Sequence, residues 1–477
     1  RLEGKNVYFL TGTDEHGLKI QREAEKKNQD TKVFCDEVST KFKDLAKILN
    51  LSINDFIRTT EQRHHSAVKA IWNKLLDSGD IYLSKYAGWY SVSDEAYYTE
   101  EEIIIEGDKK IAKSSGSTVD WLEEESYFFK LSAWQDRLLD HYKKNPSFVC
   151  PKSRNNEIVQ FVKGGLNDLS VSRTSFKWGV PVPNDDKHIV YVWLDALTNY
   201  ISALNFPDTE NKLYKDFWPA NVHVIGKDIL RFHSVYWPAF LMAAKLPLPL
   251  KIFGHGWILS NEKKMSKSLG NILDPLEIIS KYGIDQLRYY LIKEVSLGND
   301  GNVSMENLKN CINNDLANNF GNLCQRVFSF IEKNCSGKLP KPDKLESSDN
   351  KLINDLLNKI PELVKDMDSQ KLTDYLKKVV GFSFDANKYF NDLQPWALKK
   401  TNIKRMNTIL HTIVTQIKNI SILLSPIIPI SSEKILDIMN LNKEERLLKS
   451  INNASIFKHN LEFKKTSILF KKIEDDN

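Results

Sequence analysis

The sequence predicts an α/β body, split by an insertion and followed by a helical bundle, and three observations predict it. First, apolar strand-like runs stop at polar turns again and again: VYFL before TGTDEHG, then HIVYVWLDAL, NVHVIGKDIL and PLKIFGHGWIL. Helical stretches follow most of them, which is how parallel sheets are built. Second, the rhythm breaks between about residues 85 and 165, where GWYSVSDEAYY and KKIAKS read as strands and turns and YFFKLSAWQDRLLDHY reads as a helix. Third, beyond residue 306 the period becomes helical: NDLANNFGNLCQRVFSFI places Leu316, Phe320, Leu323, Val327 and Phe330 on one face. KLTDYLKKVVGFSFDANKYF and MNTILHTIVTQIKNISILL continue it.

A chain of 477 residues is too long for one ordinary domain. Apolar residues make up 41%, with 10 Trp, 17 Tyr and 23 Phe, enough for substantial cores and against disorder. The net charge of +5 excludes a wholly basic nucleic-acid wrapper but leaves room for a local basic face. The five cysteines are scattered, with no C-x-x-C pair, so neither a disulfide framework nor a cysteine zinc site is expected. No signal-peptide pattern and no membrane-length apolar run is found, so the expectation is a cytoplasmic protein without a membrane partner. Arg1 is not a natural start, and upstream residues are expected.

In parallel sheets, ligands bind outside the carboxyl ends of the strands. Asp14, His16, Trp193, Asp195, Gly226, Asp228 and His255 all fall at such ends, which points to one crevice. KMSKS at 264–268 then suggests what enters it. A lysine on a mobile loop stabilises charge moving from the α-phosphate to departing pyrophosphate. Ser266, Ser268 and Gly270 suit a lid. Alone, the motif also fits a solvated lysine-rich loop. In GKDILRFH, Gly226 allows close backbone approach and Asp228 can accept hydrogen bonds from ribose hydroxyls. Asp14 and Arg173 suit the two charges of a free amino acid, or an ordinary ion pair. Trp193, Ala196, Tyr200 and Phe232 suit an unbranched apolar side chain containing sulfur; simple core packing is the alternative for each.

Seven segments, TGTDEHG, SRTSFKWGVPVP, YVWLDALTNY, VIGKDILRFHSVYWP, GHGWILSNEKKMSKSLGN, NDLANNFGNLCQR and QPWALKK, resemble in order the bacterial methionyl-tRNA synthetases. The resemblance implies a class I enzyme with a Rossmann-type, doubly wound parallel sheet, split by a connective-peptide insertion and followed by an α-helical anticodon-binding domain. It implies two steps: methionine attacks ATP to give methionyl-adenylate and pyrophosphate, and the acyl group passes to tRNA(Met) with release of AMP. It implies ATP with Mg2+ as the substrate complex.

By that resemblance Lys267 holds the ATP phosphates and Lys264 assists. Gly226, Asp228, His255 and Gly256 face ATP; Asp14 and Arg173 serve the methionine head group. Trp193, Ala196, Tyr200, Ile229, Phe232 and His233 line the side-chain pocket. Asn322, Arg326 and Trp396 read the anticodon, by hydrogen bonds and stacking. Without the resemblance, Asn322 and Trp396 read as a surface Asn and a core Trp. The division expected is 1–84 and 166–255 for the catalytic domain, 85–165 for the insertion, 256–305 for the KMSKS region and 306–477 for the anticodon-binding domain.

Two features depart from the family pattern. The His-x-Gly-His signature is missing, and the expectation is a chain lacking that N-terminal segment and activating methionine poorly without it. The insertion holds no Cys or His from Gly88 through Thr118, so no structural zinc is expected. The insertion is also too short for an editing domain, and the chain stops at LFKKIEDDN after the bundle, so a monomer is expected.

Overall fold

The computed structural model describes all residues except 95, 108, 261, 266–271, 452–456, 458–460, 465–468 and 475–477, with the backbone alone at 86, 87, 123 and 124. The chain forms two compact units, one from Tyr8–His255 and the other from Arg1–Val7 with Gly256–Asn477.

In the first unit, strand Leu10–Thr13 runs parallel to Asp55–Arg58, and helices Leu18–Lys26 and Thr31–Ile48 make the crossover. The Asp30 side chain opens the second of these helices by accepting from the Val33 amide at 3.1 Å. A second parallel block sets Ile252–His255 between His223–Gly226 and Val149–Cys150. Helix Gln62–Asp77 buries His64, Ala67, Val68, Ile71, Trp72 and Leu75, a stripe at helical spacing. It packs against helix Val192–Ser202. The core around these helices is built from Trp72, Phe129, Trp237 and Phe240.

The insertion is antiparallel. Ile81–Ser91 pairs with Asp120–Phe129 along almost its whole length and with Ala96–Tyr98 on its other side. The sequence suggests one helix over YFFKLSAWQDRLLDHY, but Tyr127, Phe128 and Phe129 belong to the strand and the α-helix begins only at Gln135. Pairing with Leu83, Tyr82 and Ile81 decides this, because three successive aromatic residues fit a pleated surface better than a helix. Near the tip, the Asp94 carboxylate accepts hydroxyl hydrogen bonds from Tyr98 at 2.7 Å, Ser115 at 2.5 Å and Ser117 at 2.8 Å. Among the described residues no cluster of three or more His, Cys, Asp or Glu is placed to hold a metal.

In the second unit, Ile258–Ser260 lies between Lys263–Lys264, antiparallel to it, and Gly301–Val303, parallel to it. Gly256 enters this sheet where a Cβ would sit 2.2 Å from the Asn299 carbonyl group, so no side chain fits there. Helices follow. Met305–Cys311 continues through a π-helical stretch, Ile312–Gly321, into Asn322–Asn334. Leu372–Leu393 and Ile403–Leu424 pack together as the long pair of the bundle. Leu316, Phe320, Leu323 and Val327 are buried as their spacing predicts. Phe330 is only half-buried; the inward face of its helix continues instead through Cys324, Phe328 and Ile331, in step with 3.6 residues per turn. Among the described residues no helix is long and apolar enough to cross a membrane.

Candidate active site

The TDEHG segment leaves the Leu10–Thr13 strand with its side chains divided. Glu15 and His16 turn into the protein, while Asp14 stays open to solvent. Glu15 is gripped by Arg58 through Nε at 2.7 Å and Nη2 at 2.9 Å, and accepts from Thr60 Oγ1 at 2.6 Å and Thr13 Oγ1 at 2.8 Å. His16 Nδ1 lies 2.6 Å from Asp195 Oδ2, and His64 Nε2 lies 2.6 Å from Asp195 Oδ1. Gly17 closes the segment at φ 110°, in the region that favours glycine, and its amide donates to the Trp178 carbonyl.

Charge follows from this packing. Burial works to raise the Asp195 carboxyl, but the charges and hydrogen bonds of His16 and His64 outweigh it and hold the pKa well below the usual range. Burial works against charge on His16, yet Asp195 more than compensates and the imidazole is raised. Asp14 is different. Its accessible surface is that of an exposed residue, while the protein packed around it strips away much of its hydration. That burial first, and repulsion from Asp195 second, push its carboxyl up to about 6.

Helix Val192–Ser202 supplies the facing wall. Trp193, Ala196 and Tyr200 recur on it at three- and four-residue spacing, which puts them on one face. After His223–Gly226 the chain makes a short turn at Lys227–Ile229 and then a π-helical turn at Phe232–Tyr236. The result brings Phe232 against Trp193, with ring centroids 3.8 Å apart and planes 13° from parallel. Tyr200 Oη lies 2.7 Å from His233 Nε2, and His233 Nδ1 lies 3.0 Å from the Ile229 carbonyl oxygen. A carbonyl only accepts, so Nδ1 carries the proton, and burial pushes the His233 pKa down to about 4. Nε2 is therefore a bare acceptor, and the Tyr200 hydroxyl donates to it. Beneath Tyr200 lies His223, 3.9 Å away between centroids and held neutral by burial, with a pKa lowered to about 3. The field of Asp14 reaches Tyr200 and, after burial, adds to the rise in its phenol pKa.

The structure thus brings Trp193, Tyr200, Ile229, Phe232 and His233 together, with Ala196 buried on the same helix and Asp14 within electrostatic reach. Gly226 and His255 face each other across the parallel ladder, and exposed Asp228 follows immediately, its Oδ1 2.8 Å from where a Gly226 Cβ would be. Arg173 is only 2% exposed. Its guanidinium donates to Ser170 Oγ at 2.8 Å and the Ser172 carbonyl at 2.6 Å, and lies against the rings of Tyr90, Tyr97 and Tyr191. In the other unit, Lys264 Nζ sits 3.4 Å from the centre of the Trp257 ring, while Lys267 lies outside the described residues.

The helical region carries a second cluster. Arg326 donates to Asn391 Oδ1 at 2.8 Å and lies against the rings of Phe390 and Trp396, at 5.3 and 5.8 Å. Trp396 is 43% exposed, so it is not the core tryptophan that composition alone suggests. Asn322 is exposed one turn before Arg326. Sequence reasoning singled out Asp195 and His16 only as polar strand ends and missed His64, Glu15, Arg58 and His223. The pair His64-His65 in a polar helix start carries no local signal of the partner it meets.

Comparison with known proteins identifies the family. A family model described as "tRNA synthetases class I (M)" matches residues 1–328, and one described as "Anticodon binding domain of methionyl tRNA ligase" matches residues 339–477. The chain is 50% identical over 446 residues to a methionine–tRNA ligase of Brucella suis, covering 94% of this chain and 86% of that one. It is 46% identical over 489 residues to the enzyme of the same name from Rickettsia felis, covering 100% and 93%. Its fold is similar to the Mycobacterium tuberculosis methionyl-tRNA synthetase solved with methionyl-adenylate, with a TM-score of 0.95 and 42% identity over 98% of this chain and 93% of that one. The chain belongs to the class I aminoacyl-tRNA synthetases, in the methionyl-tRNA synthetase family.

Proposed function

We propose the following division of labour in an enzyme that joins methionine to tRNA by way of methionyl-adenylate. Asp14, ionised above pH 6, receives the methionine ammonium. The side chain lodges against Tyr200, Ile229 and His233, with the Trp193–Phe232 stack and Ala196 completing the wall. A neutral, hydrogen-bond-satisfied Tyr200–His233 pair suits a thioether, which asks for little hydration and for polarisable aromatic neighbours. Gly226, Asp228, His255 and Gly256 are assigned to ATP, Asp228 to its ribose. Lys264 and Lys267 are assigned to its phosphates, with Mg2+ accompanying ATP. Arg173, buried against Tyr90, Tyr97 and Tyr191, is assigned to the methionine carboxylate and the reacting centre.

Trp396 and Arg326, with Asn322, are assigned to unpaired anticodon bases, since an exposed indole beside a guanidinium is a stacking platform with a donor attached. The domain limits given from the sequence, a monomeric state, a cytoplasmic location and a zinc-free insertion complete the proposal. The observation that carries it is the Tyr200–His233 hydrogen bond beside the Trp193–Phe232 stack, in the electrostatic reach of Asp14. The test is ATP–pyrophosphate exchange by the full-length protein with each amino acid in turn. Exchange that depends on methionine supports the assignment, and exchange driven by another amino acid overturns it.

A further inference from the structure

We propose that Asp195, His16 and His64 are positioning residues forming a latch that fixes the span between Asp14 and Tyr200, and that this span measures the length of the substrate side chain. The inference rests on the assignment of Asp14 to the ammonium and Tyr200 to the thioether pocket.

Asp195 lies in the first turn of the helix that carries Trp193 and Tyr200, and it is buried to 1% exposure. Its two oxygens leave in different directions. One meets His16, two residues beyond Asp14; the other meets His64 on helix Gln62–Asp77. His64 then returns to the pocket helix, its Nδ1 lying 3.0 Å from Ser202 Oγ, two turns along from Asp195. The pocket helix is thereby held at both ends by one imidazole, and the Asp14 segment is tied to its first turn by another. Between the ammonium site and the thioether site the path is short: Asp14 to His16 along the chain, one 2.6 Å contact, then Asp195 to Tyr200 along the helix.

An apolar side chain at position 195 would bury at lower cost than a carboxylate between two imidazoles. What the carboxylate adds is two directional bonds of fixed length. The latch is also not the one tie on the Asp14 segment, because Glu15, next in the chain, is anchored separately by Arg58 and Thr60. Loosening Asp195 therefore misaligns the two sites without releasing the segment. A misplacement of this kind is costly for the matched substrate and cheap for one of the wrong length.

The experiment compares methionine with ethionine, which is one methylene longer, as substrates for ATP–pyrophosphate exchange by the full-length protein. Asp195→Asn keeps an acceptor for one histidine and loses it for the other. It is expected to lower kcat/KM for methionine and to narrow the methionine-to-ethionine ratio by about tenfold. His64→Gln, which leaves the His16–Asp195 contact in place, is expected to narrow it less, and it decides the matter if Asp195→Asn does not fold. An equal fall for both substrates marks a purely structural role and overturns the latch, as does no change. Asp14→Asn separates the two levels of the argument. It should raise KM for both substrates and leave their ratio intact; if KM for methionine does not move, the assignment of the crevice falls, and the latch with it.

Discussion

Tyr200 donates its hydroxyl to His233, across 2.7 Å, because the other imidazole nitrogen has already committed its proton to the Ile229 carbonyl. Two elements distant in sequence, the pocket helix and the π-helical turn after His223–Gly226, are joined by that one proton. Tyr200→Phe removes it and leaves His233 Nε2 buried without a donor, at a cost of about 1–3 kcal/mol. The expected outcome is a KM for methionine raised about tenfold or more in pyrophosphate exchange, with the KM for ATP nearly unchanged.

Asp14 titrates near 6, pushed up by burial and then by Asp195, so the site gains its charge as pH rises through that value. On the proposed role of Asp14, the carboxylate is ionised above it and pairs with the methionine ammonium, and below it the pair is lost. KM for methionine should climb about tenfold for each pH unit below the pKa and flatten above it, read from exchange rates between pH 5 and about 8. Asp14→Asn should give a high KM with no such inflection. The linkage to stability has the opposite sense. A carboxyl raised in the folded state favours folding when protonated and loses that contribution as pH rises through about 6, so Asp14→Asn should melt higher than wild type at pH 8.

Glu15 is a buried carboxylate whose charge is met by Arg58 and two threonine hydroxyls. Arg58→Ala strands that charge, which for a buried pair costs about 3–5 kcal/mol. Chemical denaturation should show a loss near that size. Exchange activity should fall with the folded fraction, and methionine KM should rise as the Asp14 segment loosens.

Trp396→Ala should separate the two steps of the reaction. Base stacking on an indole is worth about 1–3 kcal/mol, so aminoacylation of tRNA(Met) should fall about 10–100-fold in kcat/KM. Methionine-dependent pyrophosphate exchange without tRNA should be unchanged. Arg326→Ala should act in the same direction, since its guanidinium lies against the Trp396 and Phe390 rings and is tied to Asn391.

The order of elements was legible because it is written in local periods. Apolar runs ending at polar turns marked His223–Gly226 and Ile252–His255, and helical spacing marked Leu372–Leu393 and Ile403–Leu424. The first strand, Leu10–Thr13, instead starts at the last residue of the VYFL run and lies within its expected turn. The strand of the HIVYVWLDAL run, Asp185–Val190, pairs antiparallel rather than parallel. Local reading failed where pairing overrode it, as at Tyr127–Phe129, where cross-strand partners turned a helix-like stretch into strand. Motifs singled out Trp193, Tyr200, Phe232 and His233, and the fold brings these four side chains together.

The sequence by itself determined which side chains are available and in which periodic elements they ride. Only the tertiary structure decided that His64 and His16 share one carboxylate, that His233 is a neutral acceptor, and that Trp396 is exposed. The physical reason is range. Helical and strand periods are set by bonds between near neighbours, whereas burial, proton placement and ion partners depend on groups such as Asp195 and His64 that are 131 positions apart and meet only once the chain has packed.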